Sequence, residues 1–418
     1  MSLDRHPGAW SVLLLDPEER QTLAACRALG RSGHDVGVGG PCDAEQTGRS
    51  RYASRFHRLP DPCGPREPFR QALEGVIRAH GYQVVVSVND GTLARLGSLE
   101  SLPIPSAPAL NHGYDRLTDK FGLVALAADA DIAYPATFRP ERANEIEDIL
   151  GAAGVRLPVV VKAERSATAA AEAVHHSIGA KVASDLPTAA QAFRDLRRAG
   201  CIPILQQRVE GAVKLNAAVI RRASRSEFRY AHRVLRENPP TGGRGVTLET
   251  IAPDAGPGGD AVRLLERVCD AAGFEGLAQA EIYVERSSGA MYLIDVNPRL
   301  WGSTWFAERL GQRVVERSLR LALDLPAIPQ DPYPVSRRFH HLTGELSWLR
   351  NRGSTLRDAW RLATTMRPWG VFDRVDVSDL APTLHYVRAS LARRLSRHHD
   401  VLGARPPHDR GSSVGEPL

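Results

Sequence analysis

Lysine is nearly missing from this 418-residue chain. Of its 54 basic residues only Lys120, Lys162, Lys181 and Lys214 are lysine, and arginine supplies the rest. A bias that strong follows genome composition more readily than function, so each surviving lysine needs its own reason. Cysteine is scarce too. The five, at positions 26, 42, 63, 201 and 269, are odd in number and show no C-x-x-C spacing. That argues against a disulfide framework and against a zinc site, and for a reducing, cytoplasmic setting. Long apolar runs are absent. The first run, Trp10 to Leu15, stops at Asp16-Pro-Glu-Glu-Arg, too short for a signal-peptide core, and no segment approaches the ~20 apolar residues of a membrane span.

What is present reads as a multidomain globular protein. Its length suits roughly two to three domains, and a hydrophobic content of 43% is ordinary. Near the N-terminus, Val12 to Leu15, His34 to Val38 and Tyr82 to Val88 read as strands, and Pro17 to Leu29 reads as a helix stopped by Gly30. This alternation predicts a parallel sheet. The turn after the first strand, Asp16-Pro17-Glu18-Glu19, lacks a G-x-G-x-x-G, which argues against a dinucleotide. At the other end, residues 331–418 hold 14 arginines and 9 acidic residues, and so carry +5 of the chain's formal +6. Clusters such as Arg393-Arg394 to Arg397-His398-His399 suit an acidic partner or nucleic acid, but also the solvated face of an amphipathic helix. No aromatic-rich nucleic-acid motif accompanies them, so the helical reading is preferred and nucleic acid is not expected as a partner. Arg405 to Leu418 is expected to be disordered.

Residues 276–302 carry the most chemistry. Leu277 to Val284 and Met291 to Val296 are β-prone and flank a Ser287-Ser288-Gly289 turn, whose Gly suits a left-handed position. With a three-residue loop Arg286 pairs with Ala290, and Glu281 falls opposite Asp295. Alternation then places Asn297 on the face shared by Glu281 and Asp295. Facing carboxylates destabilise a bare hairpin, which a cation between them would relieve; an all-oxygen set of this kind suits Mg²⁺ carrying nucleotide phosphates. An edge hairpin with its acids in water is the plainer alternative. Two lysines sit in suggestive places. Lys162 closes the apolar run Leu157-Pro-Val-Val-Val161, and Lys120 opens a helical segment after Thr118-Asp119, a potential N-cap. A compact ammonium reaches a phosphate oxygen as a point charge where a planar guanidinium does not fit.

Glu281, Asp295-Val-Asn297-Pro-Arg299 and Trp301-Gly302-Ser303 together resemble the closing motif of the ATP-grasp ligases, and Lys120 and Lys162 stand where that pattern has its two lysines. The resemblance spans residues 115–325, about half the chain. It is similar in detail to a branch described as predicted carboxylate-amine ligases. By that resemblance Glu281, Asp295 and Asn297 would hold Mg²⁺, or Mn²⁺, on the phosphates of ATP, and Lys120 and Lys162 would bind those phosphates. Ile204-Leu-Gln206-Gln207-Arg-Val209-Glu210-Gly211 looks like the hinge that grips adenine. Gln207 departs from the family's usual Glu there, and Glu210 is a candidate for the ribose hydroxyls. Arg299, His232, Arg236 and Arg244 would stabilise the transferring group or the substrate carboxylate, the last three on a basic strand and a Pro239-Pro240-Thr-Gly242-Gly243 loop. The lid between Lys162 and Lys181 has no glycine until Gly179, so Arg165, Ser166 and Thr168 are the expected donors.

The expected fold class is α/β: a small parallel-sheet domain at 1–112, a two-subdomain ATP-grasp unit at 113–328 with its lid at about 135–204, and a basic, mostly helical extension at 329–418. Within the first domain, Ser50-Arg51-Tyr52 to Arg55-Phe56-His57 is expected to form part of the substrate floor. The implied reaction joins a small-molecule carboxylate to an amine at the expense of ATP, with a homodimer as a common family outcome. A carboxyphosphate-forming enzyme and a catalytically reduced ATP-binding regulatory protein are the alternatives.

Overall fold

A computed structural model of the chain describes residues 8–41, 46–177, 179–239, 243–351 and 370–389, together with Thr355, Arg357 and Trp360. In the N-terminal domain, β1 (Ser11–Leu14), β2 (Asp35–Gly40), β3 (Arg55–Arg58), β4 (Val84–Val86) and β5 (Ser106–Ala107) form a parallel sheet in the order β3-β2-β1-β4-β5. The apolar runs are continuous because both faces are covered. Leu13, Leu15 and Val85 pack on Phe69, Leu73 and Ile77 of the Arg66–His80 helix. Val12, Leu14, Val84 and Val86 pack with Ala24, Ala25 and Leu29 of the Arg20–Arg31 helix.

Strand order reverses between β1 and β4, and one residue organises that point. Asp16, at a φ of +59°, ends β1. Its buried carboxylate accepts the Ser87 hydroxyl (2.7 Å), the backbone N–H groups of Val88 (2.8 Å) and Asn89 (3.0 Å), and the Thr92 hydroxyl. These bonds fix the start of the Asp90–Gly97 helix, which Asn89 caps by accepting the Gly91 N–H at 2.8 Å.

The lid is an antiparallel sheet of β6 (Thr137–Phe138), β7 (Val159–Ala163), β10 (Lys181–Ala183) and β11 (Pro203–Gln207), ordered β10-β7-β11-β6. The Leu186–Arg198 helix backs it, with Asp185 capping Thr188 N–H at 2.7 Å. Between β7 and β10 the chain forms a small hairpin, β8 (Ala167–Ala169) and β9 (Val174–His176), that lies against the N-terminal domain. Arg95 of that domain reaches it, donating to the carbonyls of Ala170 (2.8 Å), Pro62 (2.9 Å) and Gly64 (2.6 Å).

The largest sheet holds β12 (Ala212–Arg222), β13 (Arg225–Asn238), β14 (Arg244–Ile251), β15 (Gly276–Glu285), β16 (Met291–Asn297), β17 (Arg338–His340) and β18 (Val371–Phe372), ordered β16-β15-β12-β13-β14-β17-β18. The Gly256–Ala272 helix covers one face through Val262, Leu265 and Val268. Trp301, Trp305 and Phe306 cover the other, against Ile220, Phe228 and Tyr230.

In the C-terminal extension the described residues hold the Leu342–Asn351 helix together with β17 and β18, which complete the large sheet; the 393–399 cluster and the 405–418 tail lie outside the described residues. One expectation is corrected here. Ser50-Arg51-Tyr52 is not a substrate floor but a dock for the C-terminal segment. Ser50 Oγ donates to Asp379 Oδ2 at 2.7 Å, the Arg51 N–H donates to Oδ1 at 2.9 Å, and the Tyr52 hydroxyl lies 3.4 Å from Ser378 Oγ. Beneath them Arg27, 1% exposed, donates to Asp379 Oδ2 (2.9 Å) and to the carbonyls of Arg374 (3.0 Å) and Asp379 (2.8 Å). Removing one partner of a buried pair strands the other's charge. Arg27→Ala is therefore expected to lose about 3–5 kcal/mol in urea denaturation; a loss under about 1 kcal/mol would mean the dock is solvated and weak.

Candidate active site

The metal-type hairpin forms, by a different route from the expected one. Glu285 N–H donates to Ala290 O at 2.9 Å, so the loop has four residues, Arg286 to Gly289, rather than three. That shift alone would put Asp295 out of register. A bulge at Ile294 restores it, and Glu281 pairs with Asp295 while Gln279 pairs with Asn297. Asn297 Nδ2 donates to Gln279 Oε1 at 3.1 Å, which leaves the Asn297 carbonyl oxygen to face outward with the two carboxylates.

Lysines meet these acids. Lys214, from β12, places Nζ 2.7 Å from Glu281 Oε2 and 3.3 Å from Glu237 Oε1. Burial works against its charge, but Glu281 and Glu237 outweigh that and hold its pKa above the usual lysine value. Burial likewise opposes the Glu281 carboxylate, and Lys214 with Lys162 and Lys120 holds it ionised, below the usual carboxylate value. Lys120 Nζ lies 3.6 Å from Asp295 Oδ1 and donates to Ser166 Oγ at 3.1 Å. Rather than opening a helix, Lys120 sits in the kink between the His112–Thr118 and Gly122–Asp129 helices; Asp119 Oδ1 caps the second by accepting the Phe121 and Gly122 N–H groups. Lys162, at the inner end of β7, donates to Ile294 O at 3.2 Å. Burial lowers its pKa to about 8, against the opposing pull of Asp295.

Arg299 completes the group. It forms a two-pronged pair with Asp90 of the N-terminal domain, Nε to Oδ1 at 2.6 Å and Nη2 to Oδ2 at 2.9 Å. These residues surround a cavity of about 590 Å³ with walls from the N-terminal domain, the lid and the large sheet. Gln206, Gln207, Arg208 and Val209 of the lid line it, as do Arg20, Arg244 and Trp301. Gly302 lies directly against the Arg20 guanidinium, which would have to shift to admit a Cβ there.

Several expected members are elsewhere. His232 is buried under Asn216, its Nε2 2.9 Å from Asn216 Nδ2, and burial drives its pKa to about 3; it is neutral and does not line the cavity. Arg236 turns away to the Leu342–Asn351 helix, pairing with Glu345 at 2.6 Å beside Trp348. Glu210 is exposed and Thr168 lies outside the cavity lining. Arg165 is spent on Asp119 (3.3 Å) and Thr118 (3.1 Å). In the hinge, Gln207 N–H already donates to Ala136 O at 2.8 Å, and Gln206 Nε2 donates to Thr137 Oγ1 at 3.1 Å. Residues 240–242 of the glycine loop lie outside the described residues.

Sequence reasoning missed Lys214, Gln279 and Asp90. The scarcity of lysine pointed at Lys214, and alternation from Glu281 gives Gln279. Asp90 stands 209 residues from Arg299 and left no local signal.

No protein-family profile and no curated protein matches the chain. Solved structures do match it. An N5-carboxyaminoimidazole synthetase from Staphylococcus aureus superposes with a TM-score of 0.64 at 11% identity, over 84% of this chain and 88% of that one. A biotin carboxylase from Campylobacter jejuni gives 0.60 at 12% identity, over 78% and 74%. An L-amino acid ligase from Bacillus licheniformis gives 0.57 at 14%, over 76% and 75%. Synthetases of the first kind were solved with ADP or ATP bound. At these identities the likeness is one of fold: the chain has the ATP-grasp fold.

The buried histidines give a pH dependence. His232 at about 3 and His341 at about 4 stay neutral in the fold, whereas the unfolded chain protonates them near 6.5. The unfolded state thus binds more protons below pH 6.5, and stability falls as pH drops toward 4 and then 3. The urea midpoint is expected to fall between about pH 7 and pH 5, and to fall less in His232→Asn; equal slopes would show His232 charged in the fold.

Proposed function

We propose that the protein is an ATP-dependent ligase that activates a carboxylate as an acyl phosphate and passes it to an amine. The observation that carries this is a single cavity in which Glu281, Asp295 and Asn297 face Lys120, Lys162, Lys214 and Arg299. A carboxylate resists attack because oxide would have to leave. A carboxylate oxygen attacking the γ-phosphorus releases ADP, and the resulting acyl phosphate loses inorganic phosphate when the amine nitrogen adds and gives up its proton. For such chemistry the protein positions groups and neutralises charge.

The residues divide that work. Two carboxylates and an amide oxygen form a hard-oxygen donor set of the kind magnesium or manganese accepts while phosphates fill its remaining positions. Glu281, Asp295 and Asn297 would hold the ion, which neutralises phosphate charge when bound. Lys162 and Lys120 would take phosphate oxygens, with Lys120 leaving Asp295 to do so. Gln206, Gln207 and Val209 would border the base. Arg299, paired with Asp90, would meet the transferring group, and Arg244 and Arg20, which also line the cavity, would take a substrate carboxylate. His232 acts from below as a neutral support for Asn216.

Purified protein with Mg-ATP and a pooled panel of carboxylates and amines is expected to release ADP when acid and amine are both present. Asp295→Asn should lower that rate about 100-fold or more, the scale of losing one preorganised charge-stabilising group. Saturable ATP binding with no ADP on any pair would instead mark a regulatory ATP-binding protein. Because Lys162 loses its proton near pH 8, ATP affinity measured by fluorescence titration should weaken as pH rises through about 8. A flat profile from about pH 7 to 9 would remove Lys162 from the phosphate site.

A further inference from the structure

Lys120 and Lys162 reach phosphate in the proposed reaction, and Lys214, which lines the same cavity, is left without a task. Its place is set by β12. Alternation puts Lys214 and Asn216 on one face of that strand, and pairing with β15 sets them beside Tyr283 and Glu281. The ammonium therefore comes to the acidic hairpin from the neighbouring strand of the large sheet, not from the lid. Glu237 meets it from the other side. β13 has a register shift on each side of Arg236, and beyond them the Glu237 carboxylate reaches Lys214 while Arg236 leaves for Glu345.

Three oxygens surround the ammonium: Glu281 Oε2 at 2.7 Å, Glu237 Oε1 at 3.3 Å and the Gly243 carbonyl at 3.4 Å. That is as many as three N–H groups can serve. The Tyr283 ring lies 5.9 Å from the same nitrogen, and the lysine side chain is only 10% exposed. Lys120 and Lys162 are held more loosely. Lys120 Nζ stands 3.6 Å from Asp295 Oδ1 and 3.1 Å from the Ser166 hydroxyl, and Lys162 meets the Ile294 carbonyl at 3.2 Å. Either can turn to a phosphate at little cost. Drawing Lys214 away would strand Glu237, whose Oε1 has no hydrogen-bond donor among the described residues. Lys214 therefore stays in place when nucleotide binds.

A fixed ammonium at that point limits what else Glu281 can hold. In two-metal sites for phosphoryl transfer the ions sit ~3.5–4 Å apart, and each needs its own share of oxygen ligands. Here Glu281 Oε2 is already at 2.7 Å from Nζ, and the next carboxylate, Glu237, faces the same ammonium. Glu281 Oε1, Asp295 and Asn297 remain, a set for one ion.

We propose that Lys214 is the second cation of this site, standing where a second divalent ion would share Glu281, so that a single Mg²⁺ accompanies ATP. The inference takes its metal set from the ligase reading, and its test separates the two. The full chain, saturated with a non-hydrolysable ATP analogue, is titrated with Mn²⁺, and protein-bound ions are counted by electron paramagnetic resonance. The wild-type protein is expected to bind about one ion per chain, whereas Lys214→Met, which frees Glu281 and Glu237, should bind about two, close enough for their signals to couple. Two coupled ions in the wild type, or one ion in both proteins, would overturn the role of Lys214. The wild-type count can do so alone, whether or not the variant folds. Two ions in the wild type together with ADP release from the pooled acids and amines would keep the ligase and remove Lys214. One ion in the wild type and two in Lys214→Met, with no ADP from any pair, would keep Lys214 and remove the ligase. No bound manganese in either protein would overturn the metal set and this inference with it.

Discussion

The pair between Asp90 and Arg299 holds the site together, because it is where the parallel-sheet domain grips the large sheet. Both side chains are half-buried. Burial works against both, and each holds the other ionised. The pair depends in turn on Asp16, whose carboxylate sets the start of the Asp90–Gly97 helix. A chain of constraints thus runs from the end of the first strand to the residue that follows the acidic hairpin. The same logic governs the lysines. Lys214 with Glu281, and Lys120 with Asp295, are pairs of opposite charge, so that each ammonium meets a carboxylate. Such an arrangement is preorganised, and the looser pair can exchange its internal partner for the charges of a ligand.

Much of this was legible from sequence, and the reasons are local. The parallel sheet followed from uninterrupted apolar runs separated by helical segments. Glu281 and Asp295 were placed opposite each other correctly although the loop length was misjudged, because the Ile294 bulge compensates by one residue. Pairing patterns read only from the turn outward cannot see such a bulge.

What failed was long-range. His232 and Arg236 share a strand with residues near the cavity, and alternation alone does not say which face a third neighbouring element has covered. Asn216 covers His232, and the Leu342–Asn351 helix takes Arg236 through Glu345. Asp90 was invisible for the same reason: its partner lies 209 residues away and carries no shared periodicity.

The dock between Arg27 and Asp379 makes the first domain, in one sense, the last to finish. Its core strands are complete within the first ~110 residues, the length of an ordinary domain, yet the partner of its buried guanidinium emerges 352 residues later. During synthesis from the N-terminus, Arg27 must stay solvated until nearly the whole polypeptide has left the ribosome. A fragment cut at the apparent domain boundary would leave that guanidinium unpaired and open to water. The boundary drawn by sequence is consequently not a boundary in folding, and the two ends of the chain mature together.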